Sequence, residues 1–237
     1  MADMFRPSDL FDLAQTDHPG LFDGVTHAWE ALQRIGAYLE KKITASRAEA
    51  PSSIQQSHPG AIIGPDVLIG DGSEVEPGAM IKGPALIGRN CRIRHNAYIR
   101  ENVIIGNDCV VGNASELKNA WMFNGAQAPH YNYIGDSILG FGAHLGAGVK
   151  ISNLRLLPGN VLVVSGKMKW DTGLRKMGAL VGDRAEVGCN AVLNPGSILG
   201  RGSLVYPNVF WRGVLPANGI AKNKAEVLVA SRESSSS

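Results

Sequence analysis

The chain has 237 residues, enough for one large domain with a sizeable core. Its formal net charge of +2 is too small to indicate a nucleic-acid partner or an anionic membrane surface. The three cysteines, Cys91, Cys109 and Cys189, form no C-x-x-C pair, and no stretch approaches the ~18 apolar residues of a membrane span, so we expect a cytoplasmic protein in a reducing compartment.

Residues 1–59 are predicted to form a helical segment followed by a linker. Ser8 and Asp9 are candidate caps of a short helical stretch. Apolar residues then recur at three- and four-residue steps, as in an amphipathic helix: Val25, Trp29, Leu32, Ile35 and Leu39. Residues 46–59 are rich in Ser, Ala, Pro, Gln and His, and this composition predicts the linker.

From residue 60 to residue 220 the dominant period is six residues. Aliphatic side chains recur at this interval in three stretches, Ile63 to Phe123, Leu139 to Ile151 and Val181 to Val205, and glycine often follows directly. A period of six fits neither a helix nor a simple strand, but it fits one short strand and one turn of a triangular coil. The aliphatic residue then points inward and small or polar residues form the corners. The pattern predicts an all-β fold, a parallel β-helix of hexapeptide repeats with a short helical N-terminal region.

Two segments interrupt the period, and irregular segments on a rigid scaffold often carry function. In the first, Gln127–Tyr133, the phase slips and a clean repeat is missing. The second, around residues 152–179, is predicted to be an excursion from the coil with a basic cluster: Lys167, Lys169, Arg175 and Lys176. Residues 221–237 end in a run of serines and are predicted to be a disordered tail.

Five ordered segments are more specific than the hexapeptide pattern: Val111–Asn113 with Glu116–Asn119, Pro129–Ser137, Gly146–Gly148, Asn153–Arg155 and Arg175–Ala179. They resemble the left-handed β-helix acetyltransferase domain of bifunctional glucosamine-1-phosphate N-acetyltransferase / UDP-N-acetylglucosamine pyrophosphorylases and related sugar-1-phosphate nucleotidylyltransferases. The resemblance implies a left-handed coil and a homotrimer. Residues 1–60 hold no glycine-rich strand–loop like that of the family's pyrophosphorylase half, so we expect only the acetyl-transfer half.

The resemblance implies roles for five residues. His130 matches the family's proposed general base, and an imidazole that titrates near neutrality suits that work. Arg94 and Lys118 match residues that bind the substrate phosphate, where a guanidinium offers a planar fork and an ammonium a point charge. Tyr133 and Asn153 match residues that contact the sugar. From the residues alone, each could equally be an ordinary polar residue at a corner of the coil.

The resemblance also implies acetyl-coenzyme A along the outside of the coil. Ala147 and Gly148 are candidate wall positions, and Cys189 would flank the pantetheine arm. His144 stands where the family has Asn, and Val149 where it has Thr, so His144 is a candidate substrate contact and the survival of turnover stays open. No structural metal is predicted.

The leading hypothesis is an acetyl-coenzyme A-dependent N-acetyltransferase acting on an amino-sugar 1-phosphate such as glucosamine 1-phosphate. The alternative is a non-catalytic scaffold or regulatory protein that keeps a sugar-phosphate or nucleotide-sugar pocket and docks a partner through its N-terminal helices. A zinc-dependent, carbonic-anhydrase-like protein is disfavoured, because His95, His130 and His144 lack a closely spaced pair. The sequence leaves the identity of the amino sugar open.

Overall fold

The computed structural model of the protein describes residues 5–49 and 58–223. Residues 46–49, assigned to the linker by the sequence, continue a helix. The rest of the predicted linker up to residue 57, and the predicted tail from residue 224, lie outside the described residues.

Residues from Ile62 onward form a triangular parallel β-helix, whose faces are named A, B and C in the order in which the chain visits them. Face A contains Ile62–Ile63, Met80–Ile81, Tyr98–Ile99, the first parts of Glu116–Met122 and Tyr133–Leu139, Lys150–Ile151, Val192–Leu193 and Phe210–Trp211. Face B contains Val67–Ile69, Ala85–Ile87, Val103–Ile105, the second parts of the same two long strands, Ala179–Val181, Ser197–Leu199 and Val214–Leu215. Face C contains Glu74–Val75, Arg92–Ile93, Val110–Asn113, Gln127–His130, His144–Leu145, Glu186–Val187, Leu204–Val205 and Ile220–Ala221. The predicted all-β fold class, a parallel β-helix of hexapeptide repeats, is confirmed.

The interior of the coil is a column of stacked aliphatic side chains. The predicted interior residues from Val75 to Leu117 are buried, because each strand directs one side chain inward and its neighbours outward. Many corners are formed by residues with positive φ, including Asn90, Asn96 and Asn190. Asparagine enters this backbone region more readily than other non-glycine residues, which explains the small polar residues between the aliphatic ones.

Two coils are one residue shorter than the regular ones. Met80 pairs with Tyr98, 18 residues later, whereas Glu116 pairs with Tyr133, 17 residues later. The interior position that the six-residue period assigns to Phe123 is therefore occupied by its neighbour, Met122.

The phase slip predicted at Gln127–Tyr133 is consequently misplaced. Gln127–His130 is a regular strand of face C that pairs in parallel with Val110–Asn113. The missing residue lies instead at the corner between faces A and B, where Leu117 and Met122 are five residues apart and both point inward.

The outer surface of face B is covered by residues 5–49. This N-terminal segment contains a helix at Pro7–Leu10, 3₁₀ helices at Leu13–Gln15, Pro19–Phe22 and Ala28–Gln33, and a longer α-helix at Ile35–Glu49. Its apolar side chains form a second buried cluster with outward-facing residues of face B and its edge: Ile104, Trp121, Phe123, Ile138, Leu180 and Ile198. Face B is therefore buried on both sides.

Three details of the predicted N-terminal helices differ in the structure. Val25 precedes the Ala28–Gln33 helix, so the amphipathic helix does not begin there. The cap of the first helix is Arg6 instead of Ser8 or Asp9. The Asp9 carboxylate accepts a hydrogen bond of 3.0 Å from the Arg6 backbone N–H, so Asp9 lies in the first turn and stabilises it from there.

The chain leaves the coil after Ile151 and returns at Ala179. In between, Leu162–Ser165 and Met168–Asp171 form an antiparallel hairpin that contacts the last strands of face B. Val161 and Val163 are buried in the second cluster and hold the hairpin there. No helix in the described ranges is long and apolar enough to cross a membrane.

Candidate functional site

Two predicted sugar-binding residues meet on the outer surface of face A. The Asn153 amide nitrogen donates a hydrogen bond of 3.4 Å to the Tyr133 hydroxyl. Gly135, between them, makes this approach possible, because a Cβ there would lie 2.5 Å from the Asn153 amide nitrogen and 2.8 Å from the Tyr133 hydroxyl. Burial raises the pKa of Tyr133, so its hydroxyl stays protonated and can donate to a ligand.

A buried carboxylate fixes Asn153 from below. Asp136 accepts hydrogen bonds from the amide nitrogens of Asn119, at 2.9 Å, and Asn153, at 2.5 Å. These three residues occupy the corner between faces A and B on successive coils, and Asp136 is almost fully buried there. The Asn153 side chain is therefore held in one orientation, as a substrate-positioning residue needs to be.

Lys118 belongs to a network of charged side chains on face A. Its Nζ lies 3.9 Å from Glu101, and Arg100 donates a hydrogen bond of 3.0 Å to Glu116. The hydrogen bond to Glu116 raises the pKa of Arg100. Both cations are thus ordered by carboxylates beside Tyr133, whose strand pairs with that of Glu116.

The structure separates Arg94 from Lys118. Arg94 follows the face C strand Arg92–Ile93, whereas Lys118 points outward from face A. The arginine one regular coil of 18 residues before Lys118 is Arg100, which lies on face A with it. The coil length itself was the signal that sequence reasoning missed. The phosphate-binding role of Arg94 stays a prediction, but its placement beside Lys118 is wrong.

His130 lies at the corner between faces C and A. Its imidazole is exposed and makes no hydrogen bond with any residue of the described ranges, while its carbonyl accepts one of 3.0 Å from the Gly148 N–H. The buried Asn132 holds this corner: its side-chain oxygen accepts from the His130 N–H and its amide donates to the Gly146 carbonyl. A free imidazole on a rigid backbone is suited to proton transfer.

His144 and Cys189 line one groove on face C. The groove has a volume of about 330 Å³ and a mostly apolar lining that also includes Glu186, whose strand pairs with that of His144. Ala147 and Gly148 form the adjoining corner, where the Asn190 N–H donates a hydrogen bond of 2.8 Å to the Ala147 carbonyl. The three predicted cofactor positions therefore lie along one edge of the coil.

The predicted site residues thus fall on two outer surfaces of one chain. Lys118, Tyr133 and Asn153 lie on face A and its far corner. The others, Arg94, His130, His144, Ala147, Gly148 and Cys189, lie on face C and the corner that joins it to face A. Within the described ranges, no group of three or more His, Cys, Asp or Glu side chains is arranged to hold a metal ion.

Comparisons with known proteins agree with this architecture. A family model described as the GMPPB C-terminal domain matches residues 81–168. A bifunctional protein GlmU from Methanococcus maripaludis is 38 % identical over 213 residues, which cover 90 % of this chain and 50 % of that protein. The predicted resemblance is confirmed. The chain spans half the length of this GlmU relative.

Two further matches come from other organisms. A bifunctional sugar-1-phosphate nucleotidylyltransferase/acetyltransferase from Sulfurisphaera tokodaii is 37 % identical over 93 residues, covering 39 % of this chain and 23 % of that protein. A mutant of GDP-perosamine N-acetyl transferase from Caulobacter crescentus, solved with CoA and GDP-perosamine, is 18 % identical, and the match covers 78 % of this chain and 61 % of that chain with a TM-score of 0.27.

Proposed function

We propose that the chain is an acetyl-coenzyme A-dependent N-acetyltransferase for an amino-sugar 1-phosphate, with glucosamine 1-phosphate as the first substrate to test. The observation that carries the proposal is the position of His130. Its unpaired imidazole lies one turn of chain before Tyr133, at the corner that joins the polar cluster of face A to the Ala147–Gly148 edge. This is the corner at which a sugar on face A and a thioester on face C would meet.

In the proposed reaction the neutral amine of the sugar attacks the thioester carbonyl carbon. The C–N bond forms, the C–S bond breaks, and the imidazole of His130 takes a proton from the nitrogen and passes it to the leaving thiolate. Tyr133 and Asn153 hold the sugar hydroxyls. The phosphate would bind Lys118 and Arg100, in competition with the carboxylates of Glu101 and Glu116 that hold these cations in the free protein.

The co-substrate would lie along the edge formed by Ala147, Gly148 and Cys189, where small side chains leave the backbone accessible. A homotrimer is part of the proposal. Face A and face C of one chain point in different directions, so a neighbouring copy is needed to enclose a ligand that contacts both. His144, which the face C groove exposes, would contact the sugar or the acetyl group.

The test is thiol release from acetyl-coenzyme A in the presence of glucosamine 1-phosphate. We expect His130→Ala to lower kcat by at least about 10²-fold, the usual contribution of a general base. His95→Ala is the matched control, because His95 is also exposed and precedes a positive-φ corner residue on the same edge. Equal rates for the wild type and His130→Ala would remove His130 as the base.

A non-catalytic scaffold is the second candidate. It is favoured by the charge network of face A, in which Glu101 and Glu116 already partly neutralise Arg100 and Lys118. Calorimetric titration separates the two functions. A scaffold would bind the sugar phosphate without releasing thiol from acetyl-coenzyme A, whereas the proposed enzyme does both.

A further inference from the structure

An apolar loop projects from the corner between faces A and B. This leucine loop, residues 154–159, lies in the excursion after Ile151. Leu156 is fully exposed and Leu157 is 69 % exposed, and the loop surface next to the coil is an open hollow of about 470 Å³. Two neighbouring leucines in full contact with water are unusual on a rigid surface loop and mark an interaction site.

The loop is held in its exposed position. Arg155 donates a hydrogen bond to the Asn160 carbonyl, Arg175 donates one of 3.4 Å to the Gly159 carbonyl, and Leu154 forms an antiparallel bridge with Lys176. The hollow beside it is lined by Arg155 and Arg212 and by no acidic side chain. The loop therefore presents leucines together with positive charge.

The face C groove has the complementary character. Its lining is mostly apolar, with Val187, Leu204 and Tyr206 at its centre, and its one acidic side chain is Glu186. In a triangular coil the corner between faces A and B lies opposite face C. The leucine loop of a chain therefore cannot reach the groove of the same chain.

We propose that the leucine loop of one copy docks into the face C groove of a second copy. Leu156 and Leu157 cover the apolar centre of the groove, and Arg155 faces Glu186. The contact joins two different surfaces of the chain, so repeated contacts close a ring if the rotation between copies permits it. The inference rests on the association of copies in the proposed function and adds a wall, supplied by the second copy, to the groove that contains His144.

The natural cysteines allow a direct test. Cys189 lines the groove and is exposed, whereas Cys91 and Cys109 are buried in the coil. We expect Leu156→Cys, treated at low protein concentration with a short bismaleimide, to give covalent dimers and larger species on a denaturing gel. Adding Cys189→Ser should abolish them. Met168→Cys places an exposed cysteine on the hairpin instead and should leave monomers.

Two outcomes would overturn the proposal. One is cross-linking that survives in the Leu156→Cys, Cys189→Ser double variant, since the loops would then meet each other. The other is no cross-linking of Leu156→Cys above the Met168→Cys level. A second measurement does not depend on cysteines: Leu156→Asp with Leu157→Asp should lower the mass measured by light scattering, with unchanged circular dichroism. Because both assays detect contact, their failure is distinguishable from a lack of acetyl transfer.

Discussion

The Tyr133 hydroxyl lies 3.4 Å from the amide nitrogen of Asn153, 20 residues further along the chain. The two meet because the strand of Tyr133 pairs with that of Lys150, 17 residues later, which places Asn153 one coil beyond Asp136. The 17-residue spacing thus aligns the polar side chains at one end of face A.

Gly135→Ala tests this relationship. The added Cβ would lie too close to both side-chain atoms, so we expect Tyr133 and Asn153 to move apart and KM for the sugar phosphate to rise about tenfold or more, with little change in KM for acetyl-coenzyme A. Gly20→Ala is the matched control, because a Cβ there meets only Asp23, at an ordinary 3.5 Å. Equal rises for both substrates would contradict a local effect on the sugar site.

Arg100 and Arg94 provide a second test. Since Arg100 shares face A with Lys118, we expect Arg100→Gln to raise KM for the sugar phosphate about tenfold, both by removing a guanidinium and by leaving Glu116 without its partner. Arg94→Gln, on face C, should change this KM by less than about threefold by the same reasoning. Steady-state kinetics of the two variants decide between them, and the reverse order would restore Arg94 as the phosphate ligand.

His18 should make the docking of the N-terminal segment depend on pH. Burial lowers the pKa of His18 from 6.5 to about 4, and its Nδ1 lies 2.9 Å from the Tyr38 hydroxyl. A depressed histidine pKa means that the neutral form is favoured on folding. The stability it contributes is complete above pH 6.5 and is lost as the pH falls from 6.5 toward 4.

We expect the free energy of unfolding to fall by about 2 kcal/mol between pH 7 and pH 5 from this group. Urea denaturation at the two pH values measures it. His18→Gln should remove this component, while His95→Gln, at an exposed position, should keep it. An identical pH dependence in wild type and His18→Gln would show that the burial of His18 does not control docking.

Trp121 carries a buried indole N–H without a hydrogen-bond partner in the described ranges. An unpaired donor lowers stability, so the loss of packing in Trp121→Phe is partly offset by removing it. We expect this change to alter the free energy of unfolding by less than about 1 kcal/mol. Ile104→Ala, in the same cluster, should cost about 2–5 kcal/mol. A cost for Trp121→Phe as large as that for Ile104→Ala would mean that the indole N–H is hydrogen-bonded, for example to water.

The coil was predictable from the sequence because its interior accepts one aliphatic residue per strand, and Ile81, Ile87 and Ile93 show this directly. The two shortened coils were not, because Met122 and Phe123 are both apolar and the period alone cannot say which points inward. The same ambiguity hid the double-sided burial of face B. Its signal is present in adjacent aliphatic pairs such as Ile104–Ile105.

The candidate site was predictable residue by residue but not as an arrangement. The resemblance identified Tyr133 and Asn153, yet nothing in it placed Asp136 beneath them, since this carboxylate matters only when three coils are stacked. Arg94 was misplaced because a shift of six residues moves a side chain to the next face. A shift of 18 keeps the face, which is why Arg100 lies there.

The N-terminal segment has a consequence for how the protein unfolds. In a solenoid each coil contacts only its neighbours, so the coils at one end can open without the rest. Here the segment spans the stack: the Asp17 carboxylate binds Asn107, and further down the Asp12 N–H donates to Asp183. Opening any one coil therefore also breaks contacts made by its distant neighbours, and the chain is expected to unfold in a single cooperative transition.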